Sequence, residues 1–263
     1  MLRRTEYYQR WGVDYRMIAP VLRYARQHRL PVIALNVPVE LTRQVAESGI
    51  AALPVELQGD LPEHMEPPGP AYRSRLEAVF ALHPNSGGKV FDHFVDAQLL
   101  WDEGMAERAA SFLAAHPDYQ LVVLAGNQHV AWDDTVPGRL ARRLPTDTTT
   151  ILNSWHGPLE AGLADYLLMP EQQALAPAGR IGVSIEEVSG GVSVASCSRG
   201  VDCDGIGIRP GDLIALIDDQ PVNDIADLRL ALWDRRPGDT VHIGVIRPQG
   251  SGAASSTYAV TLY

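Results

Sequence analysis

The sequence predicts an α/β chain in two parts: a three-layer domain with a mainly parallel sheet, then a small β-rich domain. Three observations predict it. Up to about residue 170, helix-like periodicity alternates with near-continuous apolar runs, the pattern of strands buried on both faces. Near Pro170 the texture changes to short strands around a single helix. The 263 residues are 46% apolar and 21% charged, ordinary for a globular chain, which excludes disorder, collagen and coiled coil.

The elements follow in order. Met17, Ile18, Val21, Leu22 and Ala25 have helical spacing, so a helix is expected over 15–29, with Pro20 in its first turn or at a kink. Leu30-Pro-Val-Ile-Ala-Leu-Asn36 reads as a buried strand. A helix after Pro38 should close at Gly49. The proline-rich stretch 54–72 reads as a surface excursion, and the longest helix should run from about Val90 to Ala115. Gln120–Gly126 is a second expected buried strand, followed by a short basic helix over Val136–Leu144 and strands at Thr148–Asn153 and Ala164–Met169. Residues 171–180 form a linker between domains placed at 1–170 and 181–263. The second domain should hold strands at Ile181–Glu186, Val192–Ser196, Leu213–Ile217, Thr240–Arg247 and Thr257–Leu262, with a helix over about Asp224–Trp233.

Charge narrows the function. Lys and Arg total 22 against 32 Asp and Glu, a net −10, so a nucleic-acid partner is not expected. Residues 1–36 run against this balance, with seven Arg against Glu6 and Asp14. No run is apolar and long enough for a transmembrane helix, and the first residues lack the apolar core of a signal peptide. Cys197 and Cys203 have neither a zinc nor a thioredoxin spacing, and a disulfide between them stays open.

On the long helix, Gln98 and Asp102 fall inside an apolar stripe that includes Phe94, Trp101 and Met105, while Asp92, Asp96, Glu103 and Glu107 fall on the face expected to be solvated. A Gln and an Asp in a core stripe cost free energy unless hydrogen-bonded, so they either tie down a loop or support a site. Gly126-Asn127-Gln128-His129 directly follows an expected strand, at the carboxyl edge where open sheets bind ligands. Asn36 and His156 end other strands the same way, and Asn36 would also serve as a helix cap. No P-loop, nucleophile elbow or His-Glu-x-x-His motif is present. Tyr7, Tyr8, Tyr15 and Tyr24 lie among arginines, a pairing that suits haem iron and propionates as well as simple packing.

Asn36-Val-Pro38, Asp96-Ala-Gln98-Leu-Leu-Trp101-Asp102-Glu-Gly-Met105-Ala106 and Val122-Val-Leu-Ala-Gly126-Asn-Gln-His129 together resemble the ChaN-like haem-binding lipoproteins of the Tiki/erythromycin-esterase-like superfamily, over residues 10–170. The resemblance implies a three-layer fold, haem binding and iron uptake at the cell envelope or periplasm. It makes Asn36, Gln98, Asp102, Gly126, Asn127 and His129 the cofactor-binding candidates, with His129 as the candidate metal ligand or catalytic group and a divalent metal as the alternative to haem. The family's first Gly-x-x-His-type motif and its Glu-bearing strand are not in this sequence, so the domain is expected to lack its N-terminal part, and a two-histidine metal site has only one half. Ile181-Gly182-Val183 and Gly207-Ile-Arg-Pro-Gly211-Asp212-Leu-Ile214 resemble a bacterial PDZ domain. That implies a groove for C-terminal or extended peptides at Ile181, Gly182, Val183 and Ser184, added as a strand. The alternative functions are a metal-dependent hydrolase or peptidase of the same superfamily and a PDZ scaffold without catalysis; a homodimer stays open.

Overall fold

The computed structural model describes residues 1–82, 90–249 and 252–263. The chain forms two compact units, one made of residues 1–31 with 173–263 and the other of residues 32–172. The first 31 residues thus belong with the C-terminal part, whereas the sequence places them with the α/β domain.

That N-terminal segment carries α1 (Tyr7–Arg10) and α2 (Tyr15–Gln27). Asp14 starts α2 by accepting the Arg16 backbone N–H and pairing with its guanidinium, which holds the Asp14 carboxyl below its ordinary value. Pro20 sits inside α2, where it removes one helical hydrogen bond.

The 32–172 unit contains α3 (Val39–Ser48), α4 (Val55–Gln58), α5 (Pro70–Ala81), α6 (Phe91–Ala115), α7 (Asn127–Val130), α8 (Val136–Arg143), β1 (Ile151–Asn153) and β2 (Tyr166–Leu168). Helix α6 is the spine. Its first half packs Ala97 and Leu100 against Leu41 and Val45 of α3. Its second half packs Met105, Ala106 and Ala109 against Val136 and Leu140 of α8. Val95 meets Tyr72 and Leu76 of α5. Partners on three sides explain why α6 is apolar round most of its circumference. Gly104 lies where Val37 presses on the helix, so any side chain there would collide with it.

Strands β1 and β2 pair in parallel, Ile151 with Tyr166 and Asn153 with Leu168. The two strands expected at 30–36 and 120–126 are extended segments outside any sheet. Their residues still alternate. Leu35, Leu121 and Ala125 pack on α6 and α8, while Val32 and Val122 are 64% and 77% exposed. The alternating burial fits extended backbone, but among the described residues no ladder forms on these runs, and β1 pairs with β2 alone.

The C-terminal part contains β3 (Val183–Val188), β4 (Gly191–Cys197), α9 (Cys203–Ile206), β5 (Leu213–Ile217), β6 (Gln220–Pro221), α10 (Ile225–Leu232), β7 (Thr240–Gln249) and β8 (Gly252–Thr261). The antiparallel sheet runs β3-β4-β5-β7-β8, with β6 on β5. Val192, Ile214, Ile217, Val241, Ile243 and Val260 fill the core beneath α10, which contributes Leu228 and Leu232. Asp224 caps α10 by accepting the Asp227 N–H. Helix α1 lies against α10, where Gln9 donates to Asp224 and Tyr15 meets Trp233 edge-on at 5.0 Å. Cys197 and Cys203 form a disulfide, resolving the pairing that the spacing left open.

Candidate functional site

The polar centre of the 32–172 unit is a carboxylate held by two neighbours. Asp102, in the middle of α6, is 1% exposed. Tyr72, in the first turn of α5 after Pro70, donates its hydroxyl to Oδ2 at 2.8 Å. His129, on the one-turn helix α7, has Nδ1 2.6 Å from Oδ1. Burial pushes the Asp102 carboxyl above its ordinary value, against hydrogen bonds from His129 and Tyr72 and the charge of Arg139. The Tyr72 hydroxyl is likewise pushed far up by burial, then by the adjacent Asp102 charge, so it stays a donor. In the tautomer that donates Nδ1–H to the Asp102 carboxylate, Nε2 is the acceptor, and no partner for it is found among the described residues. The Trp101 ring lies edge-on to the imidazole at 5.8 Å.

In front of this triad is a cleft of about 10 Å³, room for about one water, also lined by Arg75, Gln98, Gln128 and Thr135. Arg75 pairs with Asp134 and lies over Trp132 at 4.2 Å. Behind the triad, Arg139 sits 5.3 Å from the Tyr72 ring centroid and pairs with Glu103. Arg143 joins the same carboxylate at 2.5 Å. Glu103 is 0% exposed, which corrects its assignment to the solvated face. The helical wheel measures distance from one apolar stripe, and α8 supplies a second, cationic partner from another side of α6.

The sequence candidates separate here. Asp102 and His129 are in direct contact, and Gln98 lines the same cleft, with no hydrogen bond to its side chain found among the described residues. Gly126 caps α7, and Asn127 donates to the Asn153 carbonyl at 3.3 Å, which ties α7 to β1. Asn36 is exposed, its Oδ1 accepts the Val37 N–H, and it is not among the residues lining this cleft. His156 is exposed and is not among the cleft residues. Sequence reasoning missed Tyr72, Arg75 and Arg139. The only signal was Tyr72-x-x-Arg75-Leu76, helical spacing hidden in a proline-rich stretch.

In the other unit, β3 is an edge strand with β4 on one side only. Helix α10 meets this strand through its Ile225 N–H, which donates to Glu187 at 3.1 Å. Ile181 is buried in the core, Val183 is half-buried opposite Cys197, and Ser184 is exposed. Gly182 has φ +86°, and the place of a side chain there is filled by Val201 at 2.9 Å and Tyr263 at 3.2 Å. Glycine is needed at 182 for its backbone conformation and for this packing as well as for any ligand.

The model of the haem-binding uptake family, Tiki superfamily, ChaN, matches residues 1–140. The chain belongs to this ChaN family. A PDZ domain model matches residues 179–262, so a PDZ domain follows the ChaN-like part. Comparison with curated proteins gives no match. Similar solved structures include an aminopeptidase N family protein from Idiomarina loihiensis, 24% identical over 35% of this chain and 15% of that one, TM-score 0.28. The serine endoprotease from Yersinia pestis is 22% identical over 32% of this chain and 28% of that one, TM-score 0.27. The PDZ domain of a carboxy-terminal protease from Vibrio cholerae, in complex with peptide, is 21% identical over 34% of this chain and 95% of that one, TM-score 0.28. The chain spans less than a third of the length of the first two.

The ChaN-like site can be tested against haem by its donors. Haem iron takes one or two axial ligands from the protein. His129 offers Nε2 with Nδ1 committed to a carboxylate, the usual outer partner of an iron- or zinc-bound imidazole. Tyrosinate ligation by Tyr7, Tyr8 or Tyr72 fits less well, because burial raises the Tyr7 and Tyr8 hydroxyls and Tyr72 is committed to Asp102. A bare divalent ion fits least. Among the described residues, no group of three His, Cys, Asp or Glu could hold one. The ChaN-like domain therefore offers iron one carboxylate-held imidazole, while the cleft beside it, about 10 Å³, is too small in this conformation to admit the haem macrocycle.

Proposed function

We propose that this protein binds haem through its ChaN-like part, with His129 Nε2 as the iron ligand, and uses its PDZ groove to recruit an extended peptide, in haem uptake at the bacterial envelope. The observation that carries the reading is the Tyr72–Asp102–His129 chain, which orients one imidazole and keeps its Nε2 free. In this reading Asp102 sets the tautomer and the ring plane. Gln98 presents its amide to the ligand, while Gly126, Asn127 and Asn36 hold the loops around it. A sheet layered between helices on both faces is the architecture proposed for the whole haem-binding domain, supported by the apolar runs 30–36 and 120–126, whose exposed Val32 and Val122 are the side a second layer would cover. The peptide would lie along residues 181–184, which lead into β3, supported by that strand having no second sheet neighbour among the described residues.

Titration of the full chain with hemin tests this. The expected result is a saturable Soret shift with a histidine-type spectrum, and affinity lowered at least about tenfold in His129→Ala. Unsaturable absorbance changes, or equal affinity in His129→Ala, would sink the assignment. One observation favours a second reading. A cleft with room for about one water beside an Asp-oriented imidazole is also the arrangement of a hydrolytic base. Hydrolysis of ester or peptide substrates that disappears in His129→Ala, without hemin binding, would move the assignment there.

A further inference from the structure

We infer that the Cys197–Cys203 disulfide is a redox control on the carboxylate end of the peptide groove. The inference rests on the peptide-binding reading of the PDZ domain and adds its regulation. Cys197 ends β4 and stands opposite Val183, the first residue of β3. Cys203 opens α9 and is 6% exposed, while Cys197 is half-buried. The bridge closes residues 198–202 into a small ring directly beside Gly182. The ring touches the groove start twice. The Ser198 N–H donates to the Gly182 carbonyl at 2.9 Å, and Val201 packs where a Gly182 side chain would be.

Little else holds this ring. Among the described residues its other bonds are Val201 N–H to Ser198, Gly205 N–H to the Asp202 carboxylate and Ile206 N–H to the Asp202 carbonyl at 3.2 Å, all of them local to 198–206. Arg199 and Gly200 are exposed. The bridge thus holds one end of the loop that carries Val201, which with Tyr263 packs beside the left-handed backbone of Gly182. A dithiol reductant breaks the S–S bond, passing two electrons and two protons to give two cysteine thiols while it becomes a disulfide. The ring then gains the chain entropy that the cross-link withheld, and its contacts with Gly182 open. Peptide amides and carboxylate lose a fixed docking surface at 181–184, so the oxidised form binds and the reduced form releases.

Hydrogen exchange on the full chain, oxidised and after dithiothreitol, tests the local step. The expected result is exchange at least about tenfold faster at residues 182–184 and 198–202, with β7 and β8 unchanged. Unchanged exchange at 182–184 overturns the proposal. Equal acceleration in β7 and β8 also overturns it, by making the bridge a staple for the whole unit. A second arm passes a pool of peptides with free C-termini over the immobilised full chain. The expected result is at least about tenfold weaker retention after reduction, and in the double variant Cys197→Ser/Cys203→Ser under both conditions. Equal retention in both redox states overturns the switch. Retention in neither state defeats the peptide-binding reading itself, and the exchange result then decides the conformational step alone.

Discussion

Asp102 fixes two side chains at once and is itself hidden from water. Removing it by Asp102→Ala leaves the Tyr72 hydroxyl and the His129 N–H without their acceptor, so the 32–172 unit should lose about 1–3 kcal/mol, read as a lowered thermal midpoint. The sign of its titration gives a sharper test. Burial raises the folded carboxyl above its ordinary value of 3.8, so the native state holds the proton more tightly than the unfolded chain. Wild-type stability attached to this group should therefore fall as pH rises from about that value through the folded one. Asp102→Asn does not titrate, so its urea midpoint should gain on the wild type as pH rises across that window. A constant difference would show that Asp102 does not titrate abnormally. Both members of the His129–Asp102 pair were legible in sequence, one as a carboxylate in an apolar stripe, the other as a His beyond a strand. Glu103 was not, because its partners Arg139 and Arg143 come from a helix distant in sequence.

At the scale of elements, the turn before β5 is held by one carboxylate. Asp212 is 1% exposed, accepts the Arg209 N–H at 2.8 Å, and takes both arms of the Arg247 guanidinium, at 2.6 and 2.7 Å. Burial would raise its carboxyl, but the hydrogen bonds and charges of Arg247 and Arg209 outweigh that and hold it below 3.8. A depressed carboxyl stabilises above its unfolded value and loses that stabilisation as pH falls through the folded one. Asp212→Asn should cost about 2 kcal/mol at neutral pH, with the gap narrowing below about pH 3.8. Chemical denaturation of both forms at neutral and acid pH checks it, and a gap that does not narrow would contradict the ion pair. Helix α3 and strand β5 occupy the residues the sequence predicted, because glycine at 49 and a Gly-Asp turn mark their ends. The segments 30–36 and 120–126 were legible as extended apolar chain, but membership in a sheet depends on a neighbour that periodicity does not reveal.

At the scale of the whole molecule, residues 1–31 are part of the unit that holds the PDZ domain. Tyr7 is 6% exposed there, its ring edge-on to Tyr8, Trp11 and Tyr15. Deleting residues 1–13 should cost this unit about 2 kcal/mol, the burial of one large aromatic side chain, and leave the 32–172 unit unchanged. Two calorimetric transitions, of which only one shifts, are expected. If neither moves, the segment is a passenger. The PDZ resemblance showed where the sheet would be. It carried no sign that an N-terminal helix would brace its groove helix, since that contact joins residues more than two hundred positions apart.

The discontinuity of this unit also orders events during synthesis. Residues 7–15 leave the ribosome well ahead of α10, their partner. At about 5–20 residues per second they wait roughly 10–40 s for it. Every residue of the 32–172 unit emerges within that interval, so the unit whose chain lies in the middle is the first able to fold. Until α10 arrives, Tyr15 lacks its Trp233 partner, and Tyr7, Tyr8, Trp11 and Tyr15 leave aromatic surface open on a nascent chain, a handle for whatever factor attends its folding.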